Sequence, residues 1–96
     1  MAFSRQLSAI MFADIVGYTG LMEKDESMAM SFRDRLKNML EKTVSEHGGR
    51  LLEFHGDGAL CSFTSTLESV KAATKLQLEM QIAPIVPLRI GIHTGD

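Results

Sequence analysis

The sequence predicts an α+β domain in which helices cover one face of a four-stranded antiparallel sheet. Three observations carry that expectation. Apolar residues recur every four positions through one long central segment, the periodicity of a helix. Short apolar runs bounded by glycine flank it and are too short to be helices of their own. The last run alternates apolar and polar residues, as a half-covered strand does.

In order along the chain, residues 7–13 are apolar on both sides with a glycine soon after, which fits a central strand. Residues 17–22 are expected to make a short turn of helix. Asp25-Glu26-Ser27 marks a longer helix start, and Met28, Phe32, Leu36, Leu40 and Val44 form its apolar stripe. Gly48-Gly49 closes it, because glycine accepts the left-handed backbone needed past the last turn. Residues 51–55 and 59–63 are strand candidates joined by Gly56-Asp57-Gly58, a hairpin signal. Ser65-Thr66-Leu67-Glu68 matches the S-x-x-E capping box. The helix it opens is expected to turn Leu67, Val70, Ala73, Leu76 and Met80 to one face and to end at Pro84. In the last strand Leu88, Ile90 and Ile92 alternate with Arg89, Gly91 and His93. The order is β-α-β-β-α-β, the ferredoxin-like arrangement, and right-handed crossovers give a sheet order of 4-1-3-2.

Bulk properties narrow the class. The 96 residues make one small domain, and a charge of −2 without long blocks of either sign argues against a nucleic-acid or anionic-membrane partner. The single cysteine, Cys61, excludes an internal disulfide and suits a reducing compartment, so a cytoplasmic location is expected. Cys61 itself reads as a small buried hydrophobe. No run approaches the ~20 apolar residues of a membrane span. The final "LRIGIHTGD" stops just after an alternating run, so residues 1–96 are expected to be a domain truncated after its fourth strand.

The chemistry centres on two aspartates. Asp14 ends the apolar run in "FADIVGYT", and Asp57 lies in "HGDG". Taken singly, Asp14 is a plausible helix cap and Asp57 a favoured turn residue. The expected topology makes them neighbours on one edge, with His93 and Asp96 on the opposite one. Neighbouring carboxylates repel unless a cation sits between them, and Mg²⁺ characteristically takes one or two carboxylates plus phosphate oxygens. Val16, Gly17, Tyr18 and Thr19 would offer backbone N–H groups at a helix start, where anions are favoured. Together these describe a site for a metal and a nucleoside triphosphate.

"FADIVGYT", "GGRLLEFHGDGALCSF" and "PLRIGIHTGD", in this order and spacing, resemble the catalytic domain of class III adenylyl and guanylyl cyclases. The resemblance covers nearly all of the chain and about the first half of that domain. It implies that Asp14 and Asp57 are the catalytic metal-binding aspartates, with a backbone carbonyl from Ile15, for two Mg²⁺ or Mn²⁺ ions. It implies that Val16, Gly17, Tyr18 and Thr19 bind the triphosphate of ATP or GTP. The implied product is a 3′,5′-cyclic nucleotide for intracellular signal transduction. The family's transition-state arginine and asparagine would lie beyond residue 96, and a homodimer of the full domain is implied, so this stretch alone is incomplete for turnover.

Glu53 stands where adenylyl cyclases usually carry a base-reading lysine and guanylyl cyclases tend to carry glutamate. A carboxylate can accept from both N1–H and the 2-amino group of guanine, whereas adenine N1 is an acceptor. Glu53 also fits as a solvent-facing strand residue, and ATP against GTP stays open. Two other readings compete: a silent cyclase-homology module that only dimerises or binds nucleotide, and a binding domain of the acylphosphatase kind, which would want an arginine in the first loop. His55, beside the hairpin, could approach phosphate or base. Met28 and Met39 read as core filling, and Arg33, Arg35 and Lys37 as a solvated helix face.

Overall fold

A computed structural model describes residues 8–95; the expected strand start at Leu7 and the expected edge residue Asp96 lie outside the described residues. The elements are β1 (Ser8–Ile15), α1 (Tyr18–Lys24), α2 (Glu26–Glu46), β2 (Arg50–His55), β3 (Gly58–Phe63), α3 (Thr66–Met80) and β4 (Leu88–Gly95). The sheet order is β2-β3-β1-β4, the expected 4-1-3-2 read from the other edge, with every pairing antiparallel.

β1 is central in the order but covered on one face only, which corrects the two-sided expectation. Ala9, Met11, Ala13 and Ile15 are buried, whereas Phe12 on the other face is 52% exposed. Met11, Cys61 and Phe63 of the sheet share the core with Leu36, Leu40 and Val44 of α2 and Leu76 and Met80 of α3. The opposite face, bearing Phe12 and Asp14, is open.

The helix stripes also differ from expectation. α2 buries Ala29, Leu36, Leu40, Thr43 and Val44, leaving Met28 exposed. A strict spacing of four drifts around a helix of 3.6 residues per turn, so the two ends of such a stripe cannot face the same sheet. In α3 the buried residues are Ser69, Ala72, Leu76 and Met80, and Leu67 and Val70 are exposed. The caps behave as expected: the Asp25 side chain accepts from the Met28 N–H at 3.0 Å, and Ser65 Oγ accepts from the Glu68 N–H at 3.1 Å.

Two arginines leave the solvated face assigned to them. Arg35 donates through Nη2 to the carbonyls of Glu79 and Ile82, at 2.8 and 3.0 Å, and through Nη1 to that of Pro84. It thereby ties α2 to the C-terminal end of α3, where a cation complements the helix dipole. Arg33 donates to the hairpin between β2 and β3. Lys37 stays exposed, as expected.

Candidate functional site

Register places the key residues. Asp14 of β1 stands opposite Gly58 of β3 on one side and Arg89 of β4 on the other. Asp57 immediately precedes Gly58, so the hairpin brings it to the same end of the sheet as Asp14. His93 pairs with Ile10, toward the other end of β1. The expected separation of the aspartate edge from His93 is therefore seen.

Strand alternation puts Asp14 on the open face with Phe12, while Ala13 and Ile15 point under the helices. β2 reaches the same face by an irregularity. Leu51 pairs with Cys61 and Glu53 with Leu60, leaving Leu52 unpaired in a β-bulge. Past the bulge, Glu53 and His55 pair with the outward residues Leu60 and Gly58, and Phe54 turns inward. A cleft of about 350 Å³ results, lined by Phe12, Asp14, Glu53, His55, Gly58 and Leu60. Glu53 and His55 thus share a concavity with Asp14, and Asp57 lies on the turn beside it.

The turn after β1 is partly committed already. The Val16 N–H donates to the Pro87 carbonyl at 2.9 Å, which removes it from the expected set of anion-binding amides. Gly17 caps α1 with φ 73°, a left-handed conformation that glycine takes without cost, and no side chain caps the helix. The amides of Gly17, Tyr18 and Thr19 head α1, where helical N–H groups have no partner within the helix. Ile15 is the last strand residue before this turn, one position from Asp14.

Arg89 is the participant the sequence reading passed over. Its Nε and Nη2 donate to Oδ1 and Oδ2 of Asp14 at 3.2 and 2.9 Å, a bidentate ion pair. The hydrogen bond to Asp14, the charge of Asp14 and then that of Asp57 hold the guanidinium pKa above its ordinary value. The signal existed: alternation put Arg89 on the open face, and register against β1 would have set it opposite Asp14.

The donor set suits a hard cation. The carboxylates of Asp14 and Asp57 and the carbonyl of Ile15 offer oxygen atoms only, the donor type hard cations take, and no group of three or more His, Cys, Asp or Glu is gathered among the described residues.

No family model matches the chain. A Rhizobium meliloti protein named "Putative adenylate cyclase 3" is 39% identical over 100 residues, covering 96% of this chain and 17% of that protein. An uncharacterized protein of Mycobacterium bovis is 31% identical over 90 residues, covering 91% of this chain and 30% of its own length. Among solved structures, the adenylate/guanylate cyclase/hydrolase from Silicibacter pomeroyi has a TM-score of 0.80 at 29% identity, covering 97% of this chain and 59% of that one. A bacterial light-regulated adenylyl cyclase reaches 0.84 at 20% identity, over 94% of this chain and 54% of that one, and speaks to the fold alone. The chain thus spans a small part of these curated relatives and a little over half of these structures. In sequence the chain is thus similar to a protein named as an adenylate cyclase, and its fold matches that of solved adenylyl and guanylyl cyclase domains.

Proposed function

We propose that this chain is the metal- and triphosphate-holding part of a nucleotidyl cyclase domain that converts ATP or GTP to the 3′,5′-cyclic nucleotide and pyrophosphate. The observation that carries the reading is the register setting Asp14 opposite Gly58, so that Asp57 lies at the same end of the open sheet face. Asp14 and Asp57, with the carbonyl of Ile15, would hold two Mg²⁺ or Mn²⁺ ions. Bound there, such cations lower the pKa of the ribose 3′-hydroxyl and neutralise charge on the leaving pyrophosphate.

The chain's own residues do the positioning. The amides of Gly17, Tyr18 and Thr19 and the positive end of α1 face the phosphates. Arg89, once a cation has taken over the Asp14 carboxylate, supplies a mobile positive charge beside them. Glu53 sits on the cleft wall and can accept both donors of a guanine edge, which favours GTP. Phe12 and Leu52, 52% and 48% exposed, make the open face a surface that a second subunit of the complete domain would cover, so a homodimer is the working assembly. No described helix is long and apolar enough to cross a membrane. A cytoplasmic signalling role suits that chemistry. A silent module would not need both aspartates at one sheet end.

The test is cyclic-nucleotide formation by the full-length protein with Mn²⁺ or Mg²⁺ and either ATP or GTP. Asp57→Asn is expected to abolish it, and turnover at the wild-type rate in that variant rejects the metal assignment.

A further inference from the structure

Arg33 leaves α2 towards the hairpin that carries Asp57. Its Nε–H donates to the carbonyl oxygen of Gly56 over 2.6 Å, and its guanidinium carbon lies 4.9 Å from the centre of the Phe54 ring. The identity of the acceptor is what matters. His55 pairs with Gly58, so Gly56 and Asp57 are the two central residues of the turn. The Gly56 carbonyl therefore belongs to the peptide joining them. In a two-residue turn this central peptide is the part that can rotate end over end, and turn types differ by its orientation while the flanking residues hardly move. Gly56, at φ 56° and with nothing within 4 Å of where a Cβ would stand, offers no steric resistance to that rotation.

We propose that Arg33 locks the Gly56–Asp57 peptide in one orientation and thereby aims the Asp57 carboxylate at the Asp14 end of the sheet. It is a positioning residue, acting through the turn rather than on any ligand. Phe54 completes the device. Its ring is half-buried against the core, and a guanidinium stacked on it keeps the planar Nε–H directed at the turn. The Asp34 carboxylate, 3.8 Å away and 67% exposed, is too well solvated to compete strongly for Arg33.

The consequence for metal binding rests on the cyclase reading; the orientation of the peptide does not. The experiment therefore has two readouts on the ¹⁵N-labelled chain. Wild type, Arg33→Gln, Arg33→Lys and Lys37→Gln are compared, the last making the same charge change on the exposed side of α2. Without metal, wild type and Lys37→Gln should show one set of Gly56–Asp57–Gly58 amide signals and one Gly56 Hα to Asp57 H–N Overhauser intensity. Both Arg33 variants should show a second set or a changed intensity, because lysine keeps the charge but lacks the Nε–H and the planar face. Titrated with Mn²⁺, they should bind about tenfold more weakly, with thermal midpoints matching that of Lys37→Gln.

Unchanged hairpin signals in both Arg33 variants overturn the inference. So does a loss of Mn²⁺ affinity that merely tracks a fall in thermal midpoint. Altered hairpin signals in a chain whose wild type fails to bind Mn²⁺ sink the metal reading instead and leave the peptide lock standing.

Discussion

Arg89 and Asp14 face each other across the β1–β4 ladder, with both oxygens of the carboxylate engaged by one guanidinium. A metal approaching Asp14 must displace that side chain. Arg89 is 74% exposed, so water screens the pair and a divalent cation can outcompete it. Arg89→Gln is therefore expected to tighten Mn²⁺ binding to the nucleotide-free chain severalfold, read by water proton relaxation. Weaker binding would show that the guanidinium assists the site rather than competing for it.

Arg35 should matter to stability, because it bridges α2 to three carbonyls at the end of α3 and the loop beyond. Arg35→Met keeps the aliphatic stem and removes the donors. The expected cost is about 1–2 kcal/mol in urea unfolding. Amide exchange should accelerate at Val86, whose N–H bonds to the Met80 carbonyl across that loop. A loss of under about 0.3 kcal/mol would return Arg35 to the status of a surface charge.

Gly49 has no room for a side chain. A Cβ there would stand 2.5 Å from Phe63 Cε2 and 2.9 Å from the Ser62 carbonyl oxygen. Gly49→Ala is expected to cost about 1–3 kcal/mol through overpacking. Adding Phe63→Leu removes the nearer obstacle, so the two changes together should cost less than the sum of each alone. Strict additivity in a double-mutant cycle would contradict the contact.

Cys61 supplies a pH dependence. Burial pushes its thiol up from 9.0 to about 11. Between those values the folded chain keeps a proton that the unfolded chain gives up, so stability falls as pH rises through the window and is unaffected below it. The drop should approach about 2 kcal/mol at its upper end, at 1.36 kcal/mol per pKa unit. Subtracting the pH profile of Cys61→Ala, which has a constant packing penalty and no thiol, isolates the effect. Parallel profiles from pH 8 to 11 would refute it.

The element order, both large caps and the shared end of Asp14 and Asp57 were legible because each depends on local signals plus one handedness rule. Gly17 and Gly48 announced their turns, and both take positive φ. Arg89 needed one further step, since alternation gives a residue's face but only register gives its partner. Arg33 and Arg35 were not legible: their acceptors are backbone carbonyls 23 and 44 or more positions away, which no composition or spacing encodes. Leu67 and Val70 were misplaced because a capping box fixes where a helix begins and leaves its rotation to packing. The β2 bulge was equally hidden, as Leu51-Leu52-Glu53-Phe54-His55 has no glycine to mark it.

That bulge makes the cleft's character depend on chain length as well as on residue identity. Excising Leu52 would restore simple alternation from Leu51 onward without moving the hairpin, and the acid now on the cleft wall would stay there only because its ladder partner does. Shifting the excision's slack to the hairpin side would instead swap the acid for the neighbouring aromatic ring. Insertions and deletions along this six-residue strand should thus alter the lining of the cleft more abruptly than any point replacement at Glu53.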